Sequence, residues 1–163
     1  MHKLAPLALL FTAGLLVAGC NSDSTETTVE PTPKNVLFFL GDGMGITTLT
    51  ASRIYAYGED GNLTIDTLPE TAFLKTYSND SQVTDSAPSM AAYMTGVKSN
   101  NGVISMDSAA TQQADCSTSA GKAVTTLLEL AKASGMGTGV VTTTRVTHAT
   151  PAASYSLICH GDA

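Results

Sequence analysis

An unbroken apolar run at residues 36–40, Val-Leu-Phe-Phe-Leu, constrains the fold of this chain more than any other feature. A strand with no polar residue on either face is buried on both faces, which is typical of a parallel sheet. Gly41, Gly43 and Gly45 close the run and leave Asp42 in a glycine-rich loop. The run therefore predicts a buried strand with a carboxylate just beyond its end.

Strand-like and helix-like segments alternate along the rest of the chain. Further strands are predicted at residues 72–77, 103–106 and 139–144. Helices are predicted at residues 88–95, ended by Gly96, at 123–134, capped by Gly135, and at 151–158. This alternation predicts an α/β fold with a mostly parallel sheet, in which functional sites lie beyond the carboxyl ends of the strands.

The N-terminus has the pattern of an export signal. A short basic start, a largely apolar stretch over residues 4–16 and small residues before Cys20 predict a signal peptide over residues 1–19. Cys20 follows Ala-Gly as in the lipobox of bacterial lipoproteins, so we expect it to carry lipid and to hold the protein at the membrane of a bacterial periplasm or cell envelope. An ordinary cleaved signal is the alternative. Residues 20–34 are then a flexible tether and residues 35–163 the folded part.

Charge and cysteine content limit the function further. The formal net charge is -6 and no basic run exists, which argues against a nucleic-acid surface because phosphate backbones are bound by clustered Lys and Arg. Cys116 and Cys159 remain after Cys20. In an exported chain they are candidates for a disulfide, and two buried free thiols are the equal alternative.

Three sets of residues could carry chemistry. Asp42 is a suitable ligand for a hard cation, although Gly-Asp-Gly is also an ordinary turn. Ser86 stands at a predicted helix start after Asp85, where it could be a nucleophile or where Asp85 could act only as an N-cap. His148 and Thr150 lie two apart in a loop and could reach one ion, although each has an ordinary structural interpretation.

Taken together, these motifs resemble the alkaline phosphatase family in order and spacing. The resemblance is carried by Gly-Asp-Gly-Met-Gly at 41–45, Thr-Asp-Ser-Ala at 84–87, Thr-Gly-Val-Lys at 95–98, and residues 141–145 and 148–152. It implies an alkaline-phosphatase-like α/β/α sandwich, incomplete here. It also implies hydrolysis of phosphate monoesters, with zinc and magnesium as cofactors, and makes a homodimer possible for a complete protein.

The same resemblance implies a role for each candidate residue. Ser86 is the nucleophile that becomes phosphoserine, activated by zinc, and Asp85 positions it. Asp42 is the carboxylate shared by zinc and magnesium, and Thr150 is a magnesium ligand. His148 occupies the neighbouring metal-site position.

Two departures from the family pattern predict that this chain alone is a poor enzyme or none. Gly161 stands where the family has an arginine that grips phosphate with two hydrogen bonds, and glycine cannot supply such a contact. The family's remaining zinc ligands lie downstream of the matched region, so the chain is expected to be the N-terminal part of a phosphatase.

Two rival functions remain open from the sequence. Ser-Ala-Pro-Ser at 86–89 resembles the start of the sulfatase motif, which favours a sulfatase or phosphodiesterase of the same superfamily, but Met90 stands where that motif has arginine. The other rival is a non-catalytic lipoprotein fragment.

Overall fold

The computed structural model describes residues 35–112 and 115–160. The chain divides into two units, Met1–Phe38 and Phe39–Ala163. The described part of the first unit, residues 35–38, is exposed and has no regular secondary structure. The predicted signal peptide, Cys20, the whole of the predicted tether and Gly161 lie outside the described residues, so these predictions are not addressed by the structure.

The described residues of the second unit form four α-helices. These are α1 (Ile46–Tyr57), α2 (Ser86–Thr95), α3 (Leu127–Ala133) and α4 (Ala149–Ala152). Short 3₁₀ helices occupy Thr64–Thr67 and Cys116–Thr118. Across residues 35–112 and 115–160, no helix combines the length and the apolar character that crossing a bilayer requires.

Helix α2 confirms the prediction at residues 88–95 and begins two residues earlier. The Asp85 side chain caps its N-terminus by accepting a hydrogen bond from the Ala87 N–H, which satisfies one of the donors left free in a first turn. Pro88 falls at the third helical position, where its missing N–H costs nothing. Gly96 ends the helix with φ of +72°, a left-handed conformation that glycine adopts without strain.

Helix α3 is shorter than the predicted 123–134 because its N-terminal flank is extended. Ala123 pairs with Met106 in an antiparallel bridge, and the Val124 N–H donates to the Ser105 carbonyl over 2.9 Å. The helix begins after Thr126, which forms a capping box with Glu129. At the other end Gly135, with φ of +80°, confirms the predicted C-terminal cap.

The core lies where α2 packs against α3 and α4. It is built mostly from small residues and methionines: Ala87, Met90, Ala91, Met94, Ile104, Ala149, Ala152 and Ala153. Small residues let the helices approach closely, and each methionine fills an irregular gap. Ile104 also pairs with Ile158 in an antiparallel bridge, so the C-terminal segment is fastened directly to this core.

A disulfide joins Cys116 to Cys159, with the two Cα atoms 5.5 Å apart. It closes a sequence separation of 43 residues, and Cys159 is fully buried. The structure thus decides between the two alternatives that the sequence left open: the cysteines are paired.

The predicted strands differ most from the structure. Residues 36–40, 72–77 and 139–144 are not strands, and their large side chains are exposed: Phe39 is 88%, Phe73 88% and Val141 101% exposed. At residues 103–106 only the two isolated antiparallel bridges form. A buried strand needs neighbouring strands that bond its backbone and other elements that pack on its two faces. Among the described residues, these three segments have no strand partner and their large side chains are exposed. The parallel sheet is therefore not confirmed.

Two helices also differ from the sequence analysis. The predicted helix at 151–158 is the short α4, because Ile158 leaves the helical path to exchange backbone hydrogen bonds with Ile104 over 2.8 and 2.9 Å. Helix α1 was missed altogether. Its threonines have modest helix propensity, and its apolar residues are only weakly gathered on one face, so it lacks the clear apolar stripe by which a helix is recognised in a sequence.

Candidate active site

Asp85 fixes the start of α2 to a neighbouring turn. One carboxylate oxygen, Oδ1, accepts from the Ala87 N–H over 2.8 Å, and the other, Oδ2, accepts from the Gly102 N–H over 2.6 Å. Gly102 has φ of +76°, a conformation that favours glycine. Because both oxygens are bonded to backbone N–H groups, Asp85 holds the position of the next residue, Ser86.

Ser86 lines a cleft of about 230 Å³ beside this cap. The lining residues are Asp85, Ser86, Ala87, Gly102, Gln112, His148 and Ala149. The hydroxyl of Ser86 makes no hydrogen bond to the residues that the structure describes. By contrast, the hydroxyl of Ser89, one turn further along α2, donates to the Asp85 carbonyl over 2.8 Å. Of the two serines in this helix, Ser86 is therefore the one available to a ligand.

His148 enters the same cleft from the start of α4. Its backbone N–H donates to the Arg145 carbonyl over 3.0 Å, and its carbonyl accepts from the Ala152 N–H over 3.0 Å, so its backbone is held at both ends. Its Nδ1 atom is buried and has no hydrogen-bond partner among the described residues. A buried nitrogen without a partner costs free energy, so Nδ1 is an atom of the cleft that a ligand or an ordered water can bond.

Asp42 and Thr150 meet although 108 residues separate them. The Thr150 hydroxyl donates to Asp42 Oδ2 over 2.6 Å. Thr150 is the second residue of α4, so the same short helix brings His148 to the cleft and Thr150 to the glycine-rich loop. Asp42 and Thr150 do not line the cleft itself.

The fit of these residues differs for the two expected metals. The Asp42 carboxylate and the Thr150 hydroxyl are hard oxygen donors, and magnesium is bound through one or two carboxylates together with water. These two residues therefore fit magnesium. Zinc sites need three or four His, Cys, Asp or Glu ligands, and in the described part of the chain no three such side chains come together. The described residues therefore do not make a zinc site.

The turn that carries Gly102 is held by a second carboxylate. The backbone N–H of Asn101 donates to Asp80 Oδ1 over 3.0 Å, as does the Ser78 hydroxyl. These hydrogen bonds, the one from Asn101 first, hold the pKa of Asp80 below its ordinary value because they stabilise the charged form. Asp80 and Asp85 thus accept hydrogen bonds from consecutive backbone N–H groups of one turn, those of Asn101 and Gly102.

The structure brings the predicted residues together in two pairs. Ser86 and His148 share the cleft beside Asp85, and Asp42 contacts Thr150. The roles assigned to them stay predictions. The sequence analysis missed Gly102 and Gln112 as lining residues. The sequence does indicate a turn at Gly102, because Asn-Gly favours positive φ. Nothing in the sequence distinguishes Gln112.

Comparison with known proteins identifies the family of this chain. The alkaline phosphatase family model matches residues 33–160. The tissue-nonspecific alkaline phosphatase of Felis catus is 50% identical over 129 residues, which are 76% of this chain and 24% of that protein. The chain belongs to the alkaline phosphatase family. It spans about a quarter of the length of the curated relatives it matches.

Solved structures give the same family at the level of the fold. The cold-active alkaline phosphatase of a psychrophilic Shewanella sp. is 35% identical, with a TM-score of 0.62 over 74% of this chain and 29% of its own. A mutant of the alkaline phosphatase of the Antarctic bacterium TAB5, with Mg bound in its M3 site, is 27% identical, with a TM-score of 0.60 over 73% of this chain and 30% of its own. The described residues thus have an alkaline-phosphatase-like fold.

Proposed function

We propose that this chain carries the nucleophile and the magnesium-binding oxygens of a hydrolase that cleaves phosphate monoesters through a phosphoserine at Ser86. The observation that supports this most is the Ser86 hydroxyl, which is free of hydrogen bonds to the described residues and lines a cleft at the first position of α2. Family membership agrees with this reaction class. Neither a sulfatase nor a non-catalytic fragment is favoured by the comparisons.

The reaction that follows from this placement is a two-step transfer. The Ser86 oxygen attacks the phosphorus of a monoester as the hydroxyl loses its proton, the bond from phosphorus to the ester oxygen breaks, and the alcohol leaves with one proton. Water then attacks the phosphorus of the phosphoserine, the bond from phosphorus to the Ser86 oxygen breaks, and inorganic phosphate leaves while a proton from the water regenerates the hydroxyl. The N-terminal end of α2 favours the negative phosphoryl oxygens, while Asp85 keeps the serine in place through its bonds to Ala87 and Gly102.

Asp42 and Thr150 would hold magnesium in this proposal. When bound, magnesium supplies positive charge that stabilises oxygen anions. We expect Thr150→Val, which removes the hydroxyl and keeps the shape, to weaken Mg²⁺ binding to the chain by about tenfold or more. Calorimetric titration measures this, with Thr142→Val as the matched control, since Thr142 bonds only within its own exposed loop. Equal affinities in the wild type and the Thr150 variant would remove Thr150 from the site.

Hydrolysis of an aryl phosphate, with Mg²⁺ and Zn²⁺ added, tests the proposed function as a whole. We expect slow hydrolysis, because no three zinc-binding side chains meet in the described part of the chain and Gly161 replaces the expected arginine. What hydrolysis occurs should be abolished by Ser86→Ala and retained in Ser89→Ala, whose hydroxyl only bonds the helix backbone. Hydrolysis that survives Ser86→Ala would contradict the proposal.

The cellular placement rests on sequence alone. We propose an exported protein, lipid-anchored through Cys20 in a bacterial periplasm or cell envelope, and a homodimer for a complete protein. Stable anchoring needs more than one acyl chain, which a diacylated cysteine provides. Detergent phase partitioning of the wild type against Cys20→Ala tests the anchor, and wild-type protein that stays in the aqueous phase would refute it.

A further inference from the structure

Gln112 is a lining residue of the cleft to which neither the sequence analysis nor the proposed function gives a role. It shares the cleft with Ser86 and His148. Its carboxamide rests against Gly102: a Cβ built on that glycine would overlap Cδ and Oε1 of Gln112. Because Gly102 has no side chain, the Gln112 amide has room to lie against it. Gly102 is also the residue whose N–H donates to Asp85 Oδ2.

The segment that leads to Gln112 is anchored in the interior. Asn100 is 7% exposed, and its Nδ2 donates to the Ser108 carbonyl over 3.0 Å and to the Ala110 carbonyl over 2.7 Å. Ala110 is fully buried. Two residues before Gln112 the backbone is thus fixed, so the amide is presented to the cleft from a defined position.

The carboxamide of Gln112 is also available to a ligand. It is exposed, and it makes no hydrogen bond to the residues at 35–112 and 115–160. The Asp85 carboxylate beside it already accepts two backbone N–H groups. Since an amide offers two donor hydrogens and one acceptor oxygen, Gln112 brings to the cleft a neutral group that can pair with a hydroxyl in either direction.

We propose that Gln112 is a specificity-determining residue, which binds the alcohol portion of the phosphate monoester through a hydroxyl group of that alcohol. This inference rests on the proposed function. With the phosphoryl group at Ser86, the rest of a substrate extends along the cleft wall, of which Gln112 is part. A polyhydroxy alcohol, such as glycerol, can hydrogen-bond the amide, whereas a phenyl group cannot. The amide therefore favours monoesters of hydroxyl-rich alcohols over those of simple phenols.

Binding to the full chain tests this inference without requiring turnover. Dissociation constants of inorganic phosphate, phenyl phosphate and glycerol 2-phosphate are measured by NMR titration for the wild type and for Gln112→Ala. A neutral hydrogen bond contributes about 0.5–1.5 kcal/mol, and about 1.4 kcal/mol is tenfold. We therefore expect Gln112→Ala to weaken glycerol 2-phosphate binding by about two- to tenfold and to leave the other two ligands unchanged. Asn62→Ala, which removes another exposed amide, should change none of the three.

The outcomes separate this inference from the proposed function. An equal loss of affinity for all three ligands would mean that Gln112 maintains the shape of the cleft and does not bind the alcohol. No loss of affinity for any of them would mean that Gln112 does not contact the ligand. Either result overturns the inference and leaves the proposed function standing. If the wild type shows no saturable shift at Ser86 and His148 with inorganic phosphate, the proposed function fails, and the inference fails with it.

Discussion

Helix α2 and the segment at residues 139–144 were both predicted as regular elements, and only α2 forms. Helix α2 buries Ala87, Met90, Ala91 and Met94, whereas Val141 is fully exposed. A helix satisfies its backbone internally, and the partners of α2 include the nearby Ile104. A strand buried on both faces needs neighbours on either side. The difference teaches that a helix with internal hydrogen bonds and packing partners forms among the described residues, whereas a segment that needs strand partners on both sides does not.

The largest expected loss of stability comes from a charge placed in the buried face of α2, compared with the same change in the exposed segment. Ala91 is 1% exposed, so Ala91→Asp places an unpaired charge in the interior, which costs about 3–5 kcal/mol of the free energy of unfolding. Val141→Asp, in the exposed segment, should change that free energy by less than about 0.5 kcal/mol. Urea denaturation compares the two variants. Similar losses in both would show that residues 139–144 are packed in solution.

The disulfide gives the next largest effect. It fastens the end of the chain after α4 to the 3₁₀ helix at Cys116–Thr118, and removing a disulfide of this loop length costs about 2–4 kcal/mol. Cys116→Ala with Cys159→Ala should therefore lower the melting temperature, and adding a reductant to this double variant should lower it no further. An unchanged melting temperature on reduction of the wild type would contradict a structural role for the bridge.

The sequence predicts the features that depend on neighbouring residues and does not predict those that depend on contacts between distant segments. Asp85, Gly96 and Gly135 are local signals, and they correctly mark the start and end of α2 and the C-terminal end of α3. The capping box of Thr126 with Glu129 is a local signal too, but the sequence analysis did not use it and began α3 at residue 123. The contact between Asp42 and Thr150, by contrast, depends on how the chain returns after 108 residues, and local patterns contain no such information. Only the resemblance to a known family paired these two residues, and Gln112, which has no motif, was not found at all.

Loss of the Asp85 cap should have a smaller effect on stability than the disulfide. Asp85→Ala leaves the Ala87 and Gly102 N–H groups without their partner, which costs about 1–3 kcal/mol. Hydrogen exchange should show faster exchange confined to the first turn of α2 and to Gly102. If exchange there is unchanged, the carboxylate does not fix the position of Ser86, and the proposed role of Asp85 is wrong.

The smallest effect concerns the ion pair of Arg53 with Asp66, between α1 and the 3₁₀ helix at Thr64–Thr67. The Arg53 guanidinium holds the pKa of Asp66 below its ordinary value, with help from the Leu63 N–H. A carboxyl with a lowered folded-state pKa adds stability above its unfolded pKa of about 4, and that stability is lost as the pH falls through the lower folded value. The melting-temperature difference between wild type and Asp66→Asn should thus be small at pH 7 and vanish in acid. A difference that grows on acidification would contradict this sign.

The most direct test of the central claim is to locate the phosphoryl group on the protein. The chain is incubated with an aryl phosphate, Mg²⁺ and Zn²⁺ at mildly acidic pH, and the reaction is then quenched. Mass spectrometry of the digested protein locates the phosphorylated residue, so a single slow transfer of the phosphoryl group is detected. We predict phosphate on Ser86, in the wild type and in Ser89→Ala, and none on this peptide in Ser86→Ala. Phosphate on Ser89 or on any other residue, or no phosphorylation of a wild-type chain that binds inorganic phosphate, would contradict the account.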